Sequence, residues 1–344
     1  MTSHPDRSPP CLVLTMGEPA GIGPDVTLGA WLGRAGTHIP PFYCLADPDV
    51  LHARAAYIGV SVPLEMVTPS EAAACFDRAL PVVPLEARAE AAAGRLDRNN
   101  GRAVIESIAR GVGHVRDGSA SAIVTNPINK RALYDAGFRH PGHTEFLGAL
   151  AETWGAGPVR PVMMLASPTL RTVPVTIHIA LAEVARTLTT ALIVETGRVV
   201  VRDLKRRFAI ARPRIAVAAL NPHAGEGGAM GGEEAAIVRP AVEALRAEGV
   251  DARGPFPADT MFHPAARAGY DAALCMYHDQ ALIPVKALAF AEAVNVTLGL
   301  PFVRSSPDHG TALDIAGTGK ADPASLAAAL RLAAELAANE AAAA

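Results

Sequence analysis

Three histidines in this sequence have the residue type and the position that a catalytic metal site requires. Each lies just past an apolar run typical of a β-strand: His178 in Val-Thr-Ile-His, His223 in Leu-Asn-Pro-His, and His278 in Leu-Cys-Met-Tyr-His. Three neutral imidazoles leave a divalent cation one open position for a substrate oxygen, which distinguishes a catalytic site from a closed structural one. A single histidine beside a strand is more often a hydrogen-bonded core or rim residue, so the neighbouring sequence has to decide.

The neighbouring sequence adds further polar groups to two of these histidines. His278 belongs to the segment 277–286, which we predict to be a loop that carries a carboxylate, an amide and a cation. His223 belongs to the glycine-rich segment 221–228, which either wraps a ligand or forms a mobile connection. The residues after it, 233–237, predict the start of a helix.

The elements that position these histidines are those of an α/β protein. Short β-branched or apolar runs alternate with alanine-rich stretches, which predicts mainly parallel strands separated by helices. An amphipathic final helix is expected to start near Asp322-Pro323 and to end in a fraying alanine tail. The predicted strands are 12–15, 121–125, 173–177, 214–220 and 272–276, and the apolar residues of the final helix are Leu326, Leu330, Leu332 and Leu336.

A glycine pair follows the first predicted strand. Gly21-Ile22-Gly23 makes a tight turn, and Pro24 suits the first position of a helix. Val26 occupies the place of the third glycine in a dinucleotide-binding fingerprint, so a Rossmann pyrophosphate site is not predicted here. We interpret the pair as turn glycines that support the wall of a cleft.

Composition favours a cytoplasmic enzyme. A length of 344 residues with 50% hydrophobic residues suggests about two domains. The net charge of -3 offers no basic surface for nucleic acid. Residues 1–10 lack the apolar core of a signal peptide, and no run is long and apolar enough for a bilayer, so no membrane partner is expected. Buried reduced thiols are predicted for the dispersed cysteines, Cys11, Cys44, Cys75 and Cys275.

Several longer motifs occur in a fixed order between about Leu12 and Pro323. They are Thr-Met-Gly-Glu-Pro-Ala-Gly-Ile-Gly-Pro at 15–24, Thr-Asn-Pro-Ile-Asn-Lys at 125–130, Gly-His-Thr-Glu-Phe at 142–146, the two histidine segments above, Asn-Val-Thr-Leu-Gly-Leu-Pro at 295–301, and Asp-His-Gly-Thr-Ala at 308–312. With these motifs the sequence resembles the 4-hydroxythreonine-4-phosphate dehydrogenase family of vitamin B6 biosynthesis.

The resemblance implies a fold related to isocitrate and isopropylmalate dehydrogenases. That fold has two α/β/α lobes with an active-site cleft between them. No linker, charge run or repeat marks a boundary in the sequence. The implied division therefore places 1–125 with 291–344 in a first lobe that carries the cofactor-binding segments. The second lobe, 126–290, would carry the metal ligands and the contacts of a homodimer with shared active sites.

The implied reaction is a metal- and NAD(P)-dependent oxidation of 4-phosphohydroxy-L-threonine to 2-amino-3-oxo-4-(phosphooxy)butanoate. This product decarboxylates to 3-amino-2-oxopropyl phosphate, in pyridoxine 5'-phosphate biosynthesis. A divalent cation would lower the pKa of the substrate hydroxyl and stabilise the enolate left by decarboxylation. Imidazole ligands suit zinc or cobalt, and we expect zinc. Magnesium is the remaining candidate, but a site of three imidazoles would be chemically surprising for it. The sequence indicates neither the NAD or NADP preference nor the general base.

The same resemblance assigns residues to the substrate and the cofactor. Substrate binding falls to His143, Thr144, Lys286, Asn295 and Arg304, with Lys286 and Arg304 suited to the phosphate. Surface charge is the alternative for these two cations, and a helix cap is the alternative or additional role of Thr144. In the segment 306–317, similar to the cofactor loop of isopropylmalate dehydrogenases, the cofactor-binding candidates are Asp308, His309, Gly310, Thr311 and Asp314.

Three further polar residues are candidates for orienting an imidazole ligand: Asp259, Asp279 and Gln280. A structural cap or turn is the alternative for each.

If one subunit supplied His178 and the other His223 and His278, inactive variants of the two kinds would complement each other in a mixed dimer.

Two rival functions remain open. Relatives within the family oxidise other phosphorylated hydroxy acids or diol dicarboxylates, although the motif 142–146 with Lys286, Asn295 and Arg304 favours the phosphorylated amino acid. Outside the family, a three-histidine zinc site could serve a hydrolase or stiffen a non-catalytic binding protein.

Overall fold

The structure, a computed structural model, describes residues 10–135, 137–140, 142–155 and 159–343. The chain folds into two units. The N-terminal unit comprises Met1–Val159 and Leu300–Ala338, and the central unit comprises Arg160–Gly299 and Asn339–Ala344. Compared with the division implied by the resemblance, residues 126–159 group with the N-terminal unit, and residues 291–299 and Asn339–Ala344 group with the central unit.

Strands and helices alternate along the chain, as expected for an α/β protein. The strands are β1 Leu12–Thr15, β2 Phe42–Ala46, β3 Leu64–Met66, β4 Leu80–Pro84, β5 Ile123–Thr125, β6 Val162–Ala166, β7 Arg171–Pro174, β8 Arg214–Ala218, β9 Asp251–Phe256, β10 Ala272–Cys275, β11 Val294–Leu298 and β12 Arg304–Pro307.

The helices connect these strands. They are α1 Gly23–Leu32, α2 Arg34–Thr37, α3 Pro48–Ile58, α4 Ala72–Cys75, α5 Gly101–Arg116, α6 Lys130–Asp135, α7 His143–Glu152, α8 Leu181–Thr187, α9 Thr190–Arg206, α10 Arg239–Ala247, α11 Pro264–Arg267, α12 His278–Ala289 and α13 Ala324–Ala342. Shorter segments are the 3₁₀-helices Arg98–Asn100 and Ala258–Thr260, the π-helix Glu234–Val238, and the segment Pro222–Gly228, whose internal backbone angles are not those of a right-handed helix.

The strands of the N-terminal unit are all parallel. They pair in the order β3-β4-β2-β1-β5-β12. Every residue of β1 and β2 is buried, which explains why both are continuous apolar runs rather than alternating ones. Helix α5 covers this sheet with an apolar side that includes Val104, Ile108 and Val112.

The central unit has a mixed set of strands in the order β11-β6-β7-β10-β8-β9. β6 is antiparallel to both of its neighbours, whereas β7, β10, β8 and β9 are parallel to one another. Its core includes Ala273 and Cys275 of β10 together with Ala281, Leu282 and Val285 of α12.

The predicted α/β class and the predicted strands are confirmed, with several shifted ends. The predicted 121–125 starts at Ile123, and 214–220 ends at Ala218. The predicted 173–177 is observed as Arg171–Pro174, although the Val175 N–H still donates to the carbonyl of Cys275, the last residue of β10, and the Thr176 N–H to that of Met276. Strand ends move because turn geometry, rather than apolar character, decides where pairing stops.

One prediction about helices is wrong. The segment 277–286 is not a loop, because α12 begins at His278 and continues through Pro284. Burial of Ala281, Leu282 and Val285 outweighs the hydrogen bond that Pro284 cannot donate. The final helix α13 extends to Ala342, so it includes the start of the alanine tail. Alanine has the highest helix propensity of the residues, which accounts for the continuation.

Other predictions about local structure are confirmed. The helix α1 starts at Gly23 with Pro24 in its first turn. All four cysteines are free and buried, and burial raises the pKa of the Cys11 thiol to about 11. Within the described residues, the helices lack the length and apolar character that a bilayer crossing needs.

Candidate functional site

The three predicted metal ligands follow three neighbouring parallel strands of the central unit. The strand order β7-β10-β8 places His178 after β7, His278 after β10 and His223 after β8. The carboxyl ends of parallel strands lie at the same edge of a sheet, where open α/β sheets bind their ligands. The strand order therefore brings all three segments to one edge.

His178 and His278 lie side by side at this edge. Their ring centroids are 5.7 Å apart and the ring planes are inclined by 41°. Two imidazoles bound to one tetrahedral ion, with metal to nitrogen distances of about 2.1 Å, have centroids about 5 Å apart. The observed spacing thus fits two ligands of one metal. A pocket of about 230 Å³ lies against both rings, lined by 176–179, Leu181, Val184 and 277–279.

Asp279 orients one of these imidazoles. Its Oδ1 lies 2.8 Å from Nδ1 of His278, and the side chains of His278 and Asp279 are 36% and 71% exposed. A carboxylate at this distance favours the tautomer with hydrogen on Nδ1, which leaves the lone pair of Nε2 available to a metal. This contact supports the predicted role of Asp279.

The other two candidates for orienting an imidazole behave differently. Gln280 is buried, accepts a hydrogen bond from the Met276 N–H at 2.7 Å, and donates one to the Ala219 carbonyl at 2.7 Å. These two bonds connect the end of β10 to the end of β8, and neither of them involves a histidine ring. Asp259 is exposed in the short helix Ala258–Thr260, which contacts the segment Pro222–Gly228.

His223 starts an unusual run of backbone conformations. Six consecutive residues, 223–228, have positive φ angles, with values of 52° at His223, 53° at Ala224 and 41° at Glu226. His223 itself is exposed. In the part of the chain that the structure describes, no group of three His, Cys, Asp or Glu residues is arranged to hold a metal ion. One chain thus pairs His178 with His278 and does not complete the three-histidine set.

Arg304 is the most distinctive of the predicted substrate-binding residues. It opens β12, is 4% exposed, and donates to Thr125 Oγ1 from Nε at 3.2 Å and from Nη2 at 2.6 Å. Burial lowers its pKa to about 10, so the guanidinium remains charged near neutral pH. The alternative of a solvated surface charge is therefore wrong for Arg304.

The positive charge of Arg304 lies close enough to His143 to affect the pKa of its imidazole. Burial, and secondarily the charge of Arg304, holds the pKa of His143 well below its usual value of 6.5. Its Nε2 is buried and has no hydrogen-bond partner among the described residues. The imidazole is thus neutral near pH 7, with one polar atom left to interact with a ligand.

The helix cap proposed for Thr144 is wrong. Helix α7 begins at His143, its N-cap is Gly142, and no side chain caps it. Two further predicted substrate residues belong to the central unit. Lys286 is half-buried on α12, with Nζ 5.9 Å from the ring centroid of Phe290, and Asn295 is half-buried on β11.

The predicted cofactor segment packs tightly on the glycine turn of the N-terminal unit. The Ile22 N–H donates to the Thr311 carbonyl at 2.9 Å, and a Cβ at Gly21 would approach that carbonyl oxygen to 2.7 Å. Only glycine permits this approach. The glycine pair thus supports the cofactor segment, in agreement with its interpretation as a structural turn.

The remaining predicted cofactor residues have different surroundings. The Asp308 N–H donates to Ser325 Oγ at 3.2 Å. His309 holds a buried Nε2 with no hydrogen-bond partner among the described residues. Gly310 and Asp314 are exposed. A Cβ at Gly310 would meet no atom within 4 Å, so a ligand could approach the backbone there.

Comparisons with known proteins show to which family the chain belongs. The profile of a family described as pyridoxal phosphate biosynthetic protein PdxA matches residues 37–333. The chain is 58% identical to a 4-hydroxythreonine-4-phosphate dehydrogenase of Bradyrhizobium diazoefficiens over 335 residues, which cover 95% of this chain and 97% of that protein. It is 52% identical to the enzyme of the same name from Caulobacter vibrioides, with coverages of 98% and 99%.

The chain belongs to the PdxA family. A solved structure of 4-hydroxythreonine-4-phosphate dehydrogenase from Klebsiella pneumoniae matches it with a TM-score of 0.84 and 38% identity, covering 95% of this chain and 98% of that one. A terephthalate 1,2-cis-dihydrodiol dehydrogenase from Burkholderia xenovorans LB400 matches with a TM-score of 0.61 and 28% identity, at coverages of 94% and 97%. The resemblance inferred from the motifs is confirmed. As a PdxA-family member, the protein is an oxidoreductase of the dehydrogenase class, which implies a nicotinamide cofactor.

Sequence reasoning missed several residues that organise these segments of the PdxA-family chain. Asp25 forms a buried ion pair with Arg54 and accepts from the Gly317 N–H at 2.8 Å. Arg54 also donates to the Gly21 carbonyl at 2.8 Å. This network joins the glycine turn to the end of the cofactor segment. Thr125 was missed as the partner of Arg304, although its place at the end of a predicted strand was a usable signal.

Proposed function

We propose that the protein is an NAD(P)-dependent 4-hydroxythreonine-4-phosphate dehydrogenase. It oxidises the secondary alcohol of 4-phosphohydroxy-L-threonine to 2-amino-3-oxo-4-(phosphooxy)butanoate, which decarboxylates to 3-amino-2-oxopropyl phosphate. The observation that carries this proposal is the pairing of His178 with His278 at the ends of adjacent parallel strands, in a chain 58% identical to a protein of that name. A cytoplasmic location fits such a biosynthetic role.

The histidine pair fits a divalent metal. His178 and His278 have the ring spacing of two ligands on one ion, and Asp279 favours the tautomer of His278 that leaves Nε2 free to coordinate. We assign His223 as the third ligand. Imidazole donors favour zinc or cobalt over magnesium. The ion, when bound, would polarise the hydroxyl of the alcohol that is oxidised and make loss of its proton easier.

The substrate residues supply charge and hydrogen bonds for each polar group. Arg304 presents a buried guanidinium whose position is set by Thr125, and a fork of N–H donors matches the geometry of a phosphate. Lys286 adds a second positive charge, and Asn295 and Thr144 add neutral donors or acceptors. His143, neutral near pH 7, offers Nε2 without repelling the ammonium of an amino-acid substrate.

The segment 306–317 is assigned to the nicotinamide cofactor, which accepts the hydride. Its candidate contacts are Asp308, His309, Gly310, Thr311 and Asp314. The buried Nε2 of His309 and the open space beside Gly310 fit a ligand that approaches the backbone. The Asp25–Arg54 ion pair connects the glycine turn, through the Gly21 carbonyl, to the end of this segment, through the Gly317 N–H.

A homodimer with shared sites would complete the metal set. The described part of one chain pairs His178 with His278 and leaves the set incomplete. We therefore assign His223 to the site of the partner subunit, where a two-fold axis would repeat the arrangement. Because His178 and His278 lie together in one chain, the complementing variants are His223→Ala and His278→Ala. Mixing the two should restore activity that neither parent has, and native mass spectrometry should confirm the mixed dimers. Confirmed mixed dimers without activity would contradict the shared site.

Turnover assays test the activity itself. The purified protein, supplied with zinc or cobalt, NAD or NADP and 4-phosphohydroxy-L-threonine, should produce reduced nicotinamide and carbon dioxide. The His278→Ala variant is the matched control and should produce neither. Release of phosphate without reduced nicotinamide would indicate a hydrolase instead. Oxidation of a cis-dihydrodiol dicarboxylate in preference to the phosphorylated amino acid would indicate the function named for the Burkholderia xenovorans structure.

A further inference from the structure

The backbone that carries His223 is strained and needs support from elsewhere. Residues 223–227 adopt a left-handed turn, and His223, Ala224 and Glu226 carry a Cβ that this conformation disfavours. Such conformations persist only where the surrounding structure over-determines them, and they concentrate at functional sites. The supporting contacts in this protein come from one side chain in particular.

That side chain is Glu234, which is 3% exposed and opens the π-helix Glu234–Val238. Its Oε1 accepts from the Leu220 N–H at 2.9 Å and from the Asn221 N–H at 2.7 Å. Its Oε2 accepts from Asn221 Nδ2 at 3.0 Å. These three donors lie two and three residues before His223. Glu234 thus fixes the point from which the left-handed turn departs.

The other end of the turn also contacts this carboxylate. A Cβ at Gly225, two residues after His223, would lie 2.5 Å from Glu234 Oε2. The same position has a φ of +74°, so glycine is required for space and for conformation. A second carboxylate, Glu233, accepts from Asn221 Nδ2 at 2.7 Å. Glu234 is therefore enclosed by backbone on both sides of His223.

We propose that Glu234 is a positioning residue that sets the place of the His223 imidazole for metal binding. The inference rests on the proposed function, because it takes His223 as a metal ligand. Glu234 does not need to touch the metal. It holds the backbone before His223 by hydrogen bonds and limits the turn after it by contact, so that the imidazole is presented in one orientation. Partners of this kind commonly change metal affinity when they are replaced.

Two variants disturb this support in different ways. Glu234→Gln keeps an oxygen for the backbone N–H groups but turns an NH₂ group toward the donor Asn221 Nδ2. Gly225→Ala leaves Glu234 unchanged and pushes a methyl group against its Oε2. Each variant has a matched control. Glu243→Gln makes the same chemical change at an exposed position of α10, and Gly227→Ala adds a methyl group at a similar φ of +68°, where no atom lies within 4 Å.

Titration of the metal-free full-length protein with Co²⁺, followed by the visible absorption of the bound ion, measures the effect. Thermal unfolding of each metal-free variant reports separately on the fold. Glu234→Gln and Gly225→Ala should weaken Co²⁺ binding about tenfold or more, the usual range for groups that orient a ligand. Glu243→Gln should leave binding unchanged, and Gly227→Ala should lose clearly less affinity than Gly225→Ala. The absorption spectrum of the bound ion should also change in the two test variants.

His223→Ala separates this inference from the proposed metal site. If His223→Ala loses Co²⁺ while Glu234→Gln and Gly225→Ala bind it as the unmodified protein does, Glu234 has only a structural role and the inference is refuted. If His223→Ala itself retains full affinity, His223 is not a ligand, and both the metal assignment and the inference fail. If Glu234→Gln does not fold, the Co²⁺ affinities of Gly225→Ala and Gly227→Ala are compared instead. Equal losses of Co²⁺ affinity in these two variants refute the inference.

Discussion

Arg304 offers a sharp test of the substrate assignment, because it is buried and two of its guanidinium nitrogens donate to the hydroxyl of Thr125. Nε and Nη2 both donate to Thr125 Oγ1, at 3.2 and 2.6 Å, and the residue is 4% exposed. A buried charge is costly to remove from water, and a phosphate would supply the opposite charge. The informative change is Arg304→Gln, which removes the charge and keeps a polar side chain.

The expected size of the effect follows from the contact that is lost. A hydrogen bond to a charged group contributes about 1.5 to 3 kcal/mol. At about 1.4 kcal/mol for each factor of ten, the Kd for the substrate should rise about 10-fold to 150-fold. Thr125→Val is the companion change. It keeps the charge of Arg304 and removes only the hydroxyl that orients it, so its effect on the Kd should be smaller than that of Arg304→Gln.

Calorimetric binding of two ligands separates the phosphate from the rest of the substrate. The ligands are 4-phosphohydroxy-L-threonine and 4-hydroxy-L-threonine, which lacks the phosphate. Arg304→Gln should lose affinity for the first ligand and retain most of its affinity for the second. Circular dichroism should show that both variants are folded before binding is compared.

Equal losses for the two ligands would refute the assignment. That result would mean that Arg304 supports the fold or contacts another part of the substrate. A larger loss for Thr125→Val than for Arg304→Gln would also contradict the reasoning, since the hydroxyl acts in this scheme only by orienting the guanidinium.

Further predictions concern the metal and the response to pH. His178→Ala or His278→Ala should remove bound metal and nearly all turnover while circular dichroism stays unchanged, because both side chains lie outside the core; metal analysis checks this. Asp279→Asn should weaken metal binding about tenfold, measured by Co²⁺ titration. The pKa of His143 in the folded protein lies below its usual value of 6.5. As the pH falls below 6.5, the unfolded chain takes up a proton before the folded protein does, so the folded protein loses stability. Above that pH the contribution of His143 to stability is fully present. Urea unfolding between pH 7 and lower pH should show this loss, and His143→Gln should reduce it.

The strands of the fold were predictable because a strand buried on both faces requires a continuous run of apolar residues. The runs at 12–15 and 272–275 are continuous and apolar, as expected for parallel strands covered on both sides. Helix α12 was not predictable in the same way. Its first residues are polar and it contains Pro284, both typical of a loop. Its stability depends on packing against β10, which only the folded chain reveals.

The buried ion pair between Asp25 and Arg54 shows a second limit of sequence reasoning. The two residues lie in different helices, and charged residues on helices usually face solvent. Their pairing depends on how α1 and α3 pack together, and the Gly317 N–H that completes the network comes from the far end of the chain. Neither partner belongs to a pattern that could have indicated the other, so only the structure connects them.

The candidate metal site was predictable in its residues but not in its arrangement. Placing each histidine after a strand was sufficient to expect a shared sheet edge, and the order β7-β10-β8 agrees. What the pattern lacked was the direction of each side chain. His278 stands at the first position of a helix, where the next residue, Asp279, can turn back to its Nδ1. A loop would have left that pairing undefined, so the helix that was not predicted is also the element that orients the ligand. His223, by contrast, follows its strand through a left-handed turn whose conformation depends on Glu234, eleven residues later. The residue types therefore indicated a metal site, which stays a prediction, and the packing of later segments determines which histidines one chain can bring together.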